Sequence, residues 1–223
     1  FGSLYDVADV VTYKPEKSWN YEVGAHLSDP FAQGAGRSGA LLHRLPRPAA
    51  HGSYPRSRCT GRLMTNAGRT RSFGGEASLL ATLWRNLDLQ VAYGYTRATF
   101  VKFDTGKADY AGNFIPYAPQ HTLYAGASYT LRTGWNWLEY VIFRVAANGA
   151  GRIYWNEANT FSQPFYALLE ASIRFEHRHW AVDVWGRNLT DTRYDTFYFM
   201  SIGNSFLQRG RPRTFGVSLS ITL

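Results

Sequence analysis

Hydrophobic and polar residues alternate along most of the chain. In residues 87–96 the odd positions, from Leu87 to Tyr95, are apolar, and the positions between them, such as Asp88 and Gln90, are polar or small. Successive side chains of a β-strand point to opposite faces, so this period of two predicts a strand with one apolar and one polar face. The same alternation predicts strands at 19–27, 77–83, 123–131, 167–175 and 215–223, and rougher ones at 137–152 and 180–189.

The connections between these strands are short and long in turn. Tight turns are expected at 84–86, 133–136 and 176–179, and long loops at 103–120, 153–165 and 190–210. A soluble sandwich has no reason to place all short turns at one end, whereas outer-membrane barrels have short periplasmic turns and long extracellular loops. We therefore predict an all-β fold, an antiparallel transmembrane β-barrel. Its apolar odd positions face lipid, its polar even positions face a wet lumen, and aromatic residues near strand ends, such as Trp135 and Trp137, lie at the membrane interfaces.

Composition narrows the function classes. The chain has 223 residues, 16% of them aromatic, and a formal net charge of +8. Residues 30–62 contain six Arg and no Lys, Asp or Glu, so the rest of the chain is nearly neutral and nucleic-acid binding is not expected. The single cysteine, Cys59, cannot form an internal disulfide. The chain contains no run of about 18 apolar residues, so the sequence predicts no transmembrane helix.

Five motifs resemble those of one known family, in the family's order. They are YKPEKSWNYEVGAHL at 13–27, NAGRTRSFGGEASL at 66–79, NFIPYAPQHTLYAGASY at 113–129, GRNLTDTRYD at 186–195 and GRPRTFGVSLSITL at 210–223. In these segments the chain resembles the C-terminal part of TonB-dependent outer-membrane receptors. The motifs also have local physical reasons. Pro116 and Pro119 cannot donate ladder hydrogen bonds and so keep the chain extended before pairing begins at His121. In GRNLTD, the Asn and Asp can satisfy backbone groups where a strand leaves the sheet.

The resemblance implies a fold, a location and a function. It implies that residues 1–223 are the last nine strands of a 22-stranded plugged barrel in the outer membrane of a Gram-negative bacterium. The protein would bind and import a scarce solute, such as a ferric siderophore, haem, cobalamin or a glycan, with energy from the TonB protein acting on an N-terminal plug domain that this chain lacks. The chain begins at Phe1 without a signal peptide, so we expect it to be a fragment. The alternatives are a small complete barrel, acting as a passive pore or an outer-membrane enzyme, and a soluble carbohydrate-binding β-sandwich.

Residues 28–59 do not fit the pattern around them. The topology requires an ascending strand here, but three prolines lie within ten residues of the segment and are expected to prevent one. We hypothesise that an insertion or deletion shifts the reading frame between Ser28 and Leu41 and that a second one restores it before Thr60. The alternative is a genuine arginine-rich loop.

The sequence contains no convincing catalytic or metal site. It shows no nucleophile with its base, no paired carboxylates and no glycine-rich phosphate loop, so we expect neither an enzyme nor a cofactor. His177 and His179 are expected to lie in a solvated turn. A receptor captures its solute on the outer face, where aromatic and Arg side chains suit large, partly apolar or anionic ligands. The candidate ligand contacts are therefore loop residues: Tyr110, Tyr117, Tyr154, Trp155, Phe199 and Arg209, with Phe114, Phe161, Tyr198 and Phe206 beside them.

Overall fold

The structure is a computed structural model, and it consists of β-strands joined by turns and loops. It describes residues 18–29, 34–44, 49–56, 59–66, 68–83, 86–104, 108–201 and 203–222. Side chains are described at all of these positions except those within 26–67 and position 201. The strands, in chain order, are β1 (Trp19–Asp29), β2 (Gly34–Arg44), β3 (Ala49–Arg56), β4 (Cys59–Asn66), β5 (Arg69–Leu83), β6 (Leu87–Lys102), β7 (His121–Trp135), β8 (Leu138–Gly151), β9 (Ile153–Tyr154), β10 (Ser162–Gln163), β11 (Tyr166–His177), β12 (Trp180–Arg187), β13 (Asp195–Ser201), β14 (Asn204–Arg209) and β15 (Thr214–Ile221). Within these ranges, no helix is long and apolar enough to cross a membrane.

Nine of the described strands form one antiparallel sheet. Their order is β1-β2-β5-β6-β7-β8-β11-β12-β15, so strands that follow one another in the sheet also follow one another along the chain. The remaining strands form three separate two-stranded hairpins, β3 with β4, β9 with β10 and β13 with β14. A sandwich would require a second sheet packed face to face with the first. The described strands contain none, and the sandwich alternative is wrong.

The two rows of strand ends, which we call the two edges of the sheet, differ as the sequence predicted. At one edge, β7 and β8 meet in a hairpin that closes with Trp135 opposite Leu138, and β11 and β12 meet with His177 opposite Trp180. At the other edge lie the long connections, and the three small hairpins are parts of these connections. Sequence periodicity did not predict those hairpins, because strands of two to eight residues show it only weakly.

The cross-strand register places apolar side chains on one face. Tyr129 lies opposite Phe143, Phe143 opposite Ile173, and Ile173 opposite Val184, and all four side chains are about two-fifths exposed. In β12 the residues on the apolar face have even numbers and not odd ones, because directly paired residues lie on the same face and Ile173 is paired with Val184. This exposed apolar face is the one predicted to contact lipid, and we call it the outer face.

The opposite face, which we call the inner face, is concave and polar. Side chains of seven strands line a cavity of about 530 Å³ on this face. The charged residues among these side chains are Asp88, Arg144, Glu170, Asp183 and Arg187. Charged groups are stable on this face only where water or a polar partner reaches them. The polar even positions of the sequence pattern therefore lie on the inner face of β6, β7, β8 and β11, as predicted.

The prediction for residues 28–59 requires a correction. We expected three closely spaced prolines to prevent the ascending strand, but β2 occupies that place in the sheet. It ends at Arg44, before Pro46, the first of these three prolines. It pairs with β1 on one side and with β5 on the other, for example Gly39 with Gly24 and with Glu76. Pro55 lies in β3, in a two-stranded hairpin whose strands each have a free edge that tolerates the missing donor.

Candidate functional site

Three long connections lie at one edge of the sheet and pack on one another. We call them the first loop (residues 103–120), the second loop (152–165) and the third loop (188–213). The first loop begins by extending the sheet, since Phe100 N–H donates to Asn113 O at 2.9 Å and Ile115 N–H donates to Ala98 O at 3.0 Å. These bonds occupy the upper part of β6, above the point where pairing with β7 begins at His121. Pairing begins at the position that Pro116 and Pro119 predicted.

Side-chain amides connect the first loop to the second. Asn159 Oδ1 accepts a hydrogen bond from Phe114 N–H at 2.7 Å, and Asn159 Nδ2 donates to Phe114 O at 2.9 Å. Asn113 Nδ2 donates to Glu157 O at 2.8 Å, and Tyr117 N–H donates to Tyr154 O at 2.8 Å. Asn159 and Tyr117 have positive φ angles of 56° and 64°. Asn tolerates this left-handed conformation better than most residues, which places its amide in reach of the neighbouring loop.

Tyr117 connects these two loops to the third. Its hydroxyl donates to Tyr198 O at 2.8 Å. Its ring lies 5.5 Å from the ring of Trp155 and 5.6 Å from that of Phe197, measured between ring centroids. These separations lie within the range of favourable aromatic pairs, each worth about 0.5 to 1.5 kcal/mol beyond the area it buries. One residue therefore joins all three loops through its hydroxyl, its ring and its backbone.

The environment of Tyr117 stabilises its neutral form. Partial burial of the phenol and, second, the negative charge of Glu157 raise the pKa of Tyr117 above its ordinary value of 10.0. Both effects act against the phenolate, because a buried anion loses hydration and a nearby anion repels it. The Tyr117 hydroxyl therefore remains a hydrogen-bond donor throughout the physiological pH range.

The aromatic rings of the loops form three sets of ring contacts, which the hydrogen bonds of Tyr117 to Tyr154 and Tyr198 join into one group that we call the aromatic cluster. Phe197, at 42% exposure, and Phe206, at 47%, present large apolar surfaces, as do Phe161 at 45% and Tyr117 at 47%. Exposed apolar surface of this kind, concentrated in loops, makes the cluster a candidate binding surface. The ring contacts within the cluster are Phe114–Tyr154, Tyr117–Trp155, Tyr117–Phe197, Phe161–Tyr198, Phe197–Phe199 and Phe199–Phe206.

Four of the six predicted ligand contacts lie in this cluster. Tyr117, Tyr154 and Trp155 meet where the first and second loops pack together, and Phe199 stacks on Phe206 with 4.9 Å between ring centroids. Trp155, however, is only 7% exposed. Its role in the described structure is to support Tyr117, and it offers little surface to a ligand.

The other two predicted contacts lie apart. Tyr110 packs against Phe103, 5.6 Å between ring centroids, and belongs to a small buried cluster with Phe100 under the first loop. Arg209 is exposed at the end of β14, opposite Asp195. Sequence reasoning could not separate these positions, because all six residues lie in predicted loops and differ only in tertiary packing.

Sequence reasoning missed three residues that shape the site. Asn113 and Asn159 hold the first and second loops together, and Phe197 joins Tyr117 to Phe199. Phe197 lies two residues before Phe199, and this period of two was a weak but usable signal for the β13–β14 hairpin. The two asparagines gave no such signal, since their partners are more than forty residues away in sequence.

The sequence did predict the role of the GRNLTD motif, which lies at the start of the third loop and contacts the end of that loop. Asn188 is 5% exposed; its Nδ2 donates to Thr192 O at 3.0 Å and to Arg211 O at 3.1 Å, and its Oδ1 accepts from Thr192 N–H at 2.8 Å. Asp191 Oδ1 accepts from Arg213 N–H at 3.0 Å. The Asn and Asp of GRNLTD therefore satisfy backbone groups where β12 leaves the sheet, as predicted.

The inner face below the loops carries its own polar contacts. Asn148 Nδ2 donates to Glu170 at 2.7 Å, and Trp185 Nε1 donates to Ser218 Oγ at 3.1 Å. The guanidinium of Arg187 lies 4.8 Å above the Trp185 ring, a cation–π contact. Among the described side chains, no group of three or more His, Cys, Asp or Glu could hold a metal ion. His177 and His179 lie side by side at the tight-turn edge, 5.7 Å between ring centroids.

Comparison with known proteins identifies the family. A family described as "TonB dependent receptor-like, beta-barrel" matches residues 1–189 of the 223. The chain is 25% identical over 221 residues to the pesticin receptor of Yersinia pestis, covering 96% of this chain and 30% of that receptor. It therefore spans less than a third of the length of this curated relative.

Solved structures share the fold. The ferric yersiniabactin uptake receptor FyuA of Yersinia pestis superposes with a TM-score of 0.76 at 21% identity, covering 92% of this chain and 30% of that one. The siderophore receptor PiuA of Acinetobacter baumannii gives a TM-score of 0.72 at 16% identity, covering 96% and 29%. At these identities the likeness shows the fold alone. Because the family match covers most of its residues, the chain belongs to the TonB-dependent receptors, which are outer-membrane receptors and transporters of Gram-negative bacteria and not enzymes.

Proposed function

We propose that this chain forms part of the wall and the outer loops of a receptor that binds a ferric siderophore and imports it. The aromatic cluster is the observation that carries this proposal. It joins three loops at one edge of the barrel wall and leaves Phe161, Phe197 and Phe206 more than two-fifths exposed. Loops held together in this way keep less conformational freedom, so a ligand that binds them loses less entropy.

The ligand class follows from the chemistry of the cluster. Flat, exposed rings with few nearby charges suit a large, partly apolar chelate better than a small hydrated ion. The names of similar structures support this choice, since they include receptors for ferric yersiniabactin and ferric preacinetobactin, although a copper transporter is also among them. Haem, cobalamin and glycans are the other ligands of the class that the cluster would suit.

Transport requires parts outside the described wall. We propose that a plug domain of the full receptor closes the lumen and that TonB supplies the energy that moves it. The polar inner face, with Arg144, Glu170 and Asp183 around the 530 Å³ cavity, suits contact with water or with a polar plug surface. It does not suit an apolar filling, because removing these three charged groups from water costs several kcal/mol for each ion.

Growth of a strain that lacks its own siderophore receptors tests the proposal. The full receptor that contains this chain is expressed in that strain, and iron-limited growth is measured with a panel of ferric siderophores, haem and cobalamin. We expect growth with at least one ferric siderophore, and loss of it when the gene for TonB is deleted. Growth with haem or cobalamin alone would contradict the ligand class. Growth that does not depend on TonB would contradict the mechanism.

Matched phenylalanine substitutions test the site. Phe161→Ala and Phe206→Ala each remove an exposed ring of the cluster, whereas Phe143→Ala removes a ring of similar exposure from the outer face of the wall. A ring contact worth about 1.4 kcal/mol corresponds to a tenfold change in affinity. We expect the two loop variants to need about tenfold more ferric siderophore for half-maximal growth and Phe143→Ala to behave like the wild type. Equal behaviour of all three variants would exclude the cluster as the binding surface.

A further inference from the structure

The outer face of β5, β6 and β7 changes its chemistry along its height. Starting near the tight turns, it presents aliphatic residues such as Leu79 opposite Val91. Tyr95 and His121 then lie opposite one another, and above them Arg97 lies opposite Phe73. In the next row Arg71 lies opposite Thr99. The order from the tight-turn edge is therefore aliphatic, aromatic and then cationic.

The height of the arginines matches the edge of a membrane. Arg97 is ten residues beyond Leu87, the first residue of β6. At about 3.3 Å per residue this is roughly 33 Å along the strand. A strand tilt of about 40° reduces it to roughly 25 Å, the height of the apolar band of an outer-membrane barrel. Arg97 and Arg71 therefore lie at the headgroup level of the leaflet on the loop side.

The row beneath the arginines has the amphipathic groups of an interface. Tyr93 Oη lies 2.7 Å from His121 Nδ1, and the Tyr95 ring lies 5.2 Å from the His121 ring, between centroids. Such rings place an apolar body in the hydrocarbon and a polar tip at the headgroups. The boundary between lipid tails and headgroups is thus marked by Tyr93, Tyr95 and His121.

The two arginines are available for an anionic partner. Both are exposed, and within the described part of the chain neither makes an ion pair. The Arg97 guanidinium lies 5.7 Å above the ring of Phe114, which orients it without neutralising it. No Asp or Glu occupies the outer face of these three strands in the paired rows from Leu83–Leu87 to Arg71–Thr99. Arg71 and Arg97 are diagonal cross-strand neighbours, roughly 7 to 8 Å apart at the backbone.

We propose that Arg71 and Arg97 together bind a phosphate group of a phosphorylated glycolipid in the outer leaflet. Guanidinium groups bind phosphate oxygens through paired N–H donors, which favours Arg over Lys at such a site. The acyl chains of the same lipid would lie along the aliphatic rows below. A free phosphate lacks these chains, so the surface fits a membrane lipid. The inference depends on the family's place in the outer membrane and not on which solute is transported.

Native mass spectrometry of the full receptor that contains this chain tests the inference. The detergent-solubilised wild type is mixed with lipid A, a phosphorylated glycolipid, or with enzymatically dephosphorylated lipid A, and bound lipid is counted. We expect at least tenfold stronger retention of the phosphorylated form. Equal retention of both forms would overturn the inference. Displacement of the lipid by millimolar inorganic phosphate would also overturn it, since it would indicate a site for the free ion.

Paired arginine variants then locate the site. R71Q/R97Q should lose the preference for phosphorylated lipid A, and R71K/R97K should keep only part of it because Lys lacks the paired donors. The control R132Q/R178Q removes the same charge near the tight turns and should bind as the wild type does. Unchanged preference in R71Q/R97Q, with a folded band on a gel without heating, would assign the lipid elsewhere and overturn the inference. If R71Q/R97Q does not fold, R71K/R97K replaces it as the test. An undiminished preference for phosphorylated lipid A in R71K/R97K would then overturn the inference.

Discussion

The side-chain amide of Asn159 makes two hydrogen bonds to the backbone of Phe114, forty-five residues earlier in the chain. Its Oδ1 accepts from the Phe114 N–H and its Nδ2 donates to the Phe114 carbonyl oxygen, as a neighbouring strand would do. The second loop is thereby fixed to the first at the point where Phe114 stacks on Tyr154, 5.2 Å between ring centroids. Rigid outer loops are thus produced by side chains at positions where the sheet has ended.

Replacing Asn159 should loosen the two loops from one another. Asn159→Gly removes both hydrogen bonds but keeps the freedom needed for a φ of 56°, whereas Asn159→Ala adds backbone strain. We expect the free energy of local opening to fall by about 1 to 3 kcal/mol in Asn159→Gly and by about 1 kcal/mol more in Asn159→Ala. Hydrogen exchange at the Phe114 amide measures this opening. Unchanged protection in both variants would mean that the amide contacts do not hold the loops.

Tyr117 should connect the loops until the pH exceeds its raised pKa. Because folding raises this pKa above 10.0, the stabilisation is complete below pH 10 and is lost as the pH rises through the pKa of the folded state. Absorbance at 295 nm, compared between wild type and Tyr117→Phe, isolates the titration of this phenol. Glu157→Gln should lower its midpoint by removing the smaller of the two causes. A Tyr117 phenol that titrates at or below pH 10 in the wild type would contradict the described packing.

Asn188 should be the least replaceable residue of the GRNLTD motif. In Asn188→Asp the Oδ1 acceptor remains, but the donor to Thr192 O and Arg211 O becomes a carboxylate oxygen facing two carbonyls. We expect a loss of about 2 to 4 kcal/mol in unfolding free energy. The readout is the temperature at which the folded band on a detergent gel disappears. Thr190→Ala, an exposed neighbour, is the control and should change this temperature little.

The 223-residue chain by itself should not form a stable monomeric barrel. In the described structure β1 and β15 lie at opposite ends of the sheet order and do not pair with each other. Their unpaired backbone groups would each cost several kcal/mol in lipid. We expect aggregates or oligomers after refolding in detergent. A monomer that resists protease and migrates faster without heating would show that the chain closes on its own and would favour a small complete barrel.

The frame-shift hypothesis for residues 28–59 makes a prediction for the gene. Codons that can encode residues 41–53, read one base later, permit a reading that contains Phe-Ile-Asp-Cys-Arg-Asp-Gln-Gln-Leu-Thr-Val, which resembles the strand that family members carry here. We propose that one insertion or deletion lies between the codons of Ser28 and Leu41 and that a compensating one lies before Thr60. The nucleotide sequence decides this. If no compensated pair restores a strand-like reading, β2 and the hairpin of β3 and β4 are the native structure of this segment.

The sequence by itself determined the features that depend on neighbouring residues. The alternation around Val91 predicted strand and face, because side chains along one strand point in alternate directions whatever lies beyond it. Pro119 and Asn188 predicted where pairing begins and ends, because each acts on a backbone a few residues away. The alternation of short and long connections predicted the two edges of the sheet.

Only the tertiary structure decided which of the candidate loop residues are exposed and which are buried. Trp155 and Tyr110 looked like Tyr117 in the sequence, but Trp155 is buried beside the ring of Tyr117 and Tyr110 packs against a separate buried cluster. The role of Asn159 became clear only from the tertiary structure, which places the backbone of Phe114 beside its side chain. These outcomes depend on contacts between loops that are tens of residues apart. No local pattern encodes such contacts, because the strands of the sheet must first bring the loop ends together.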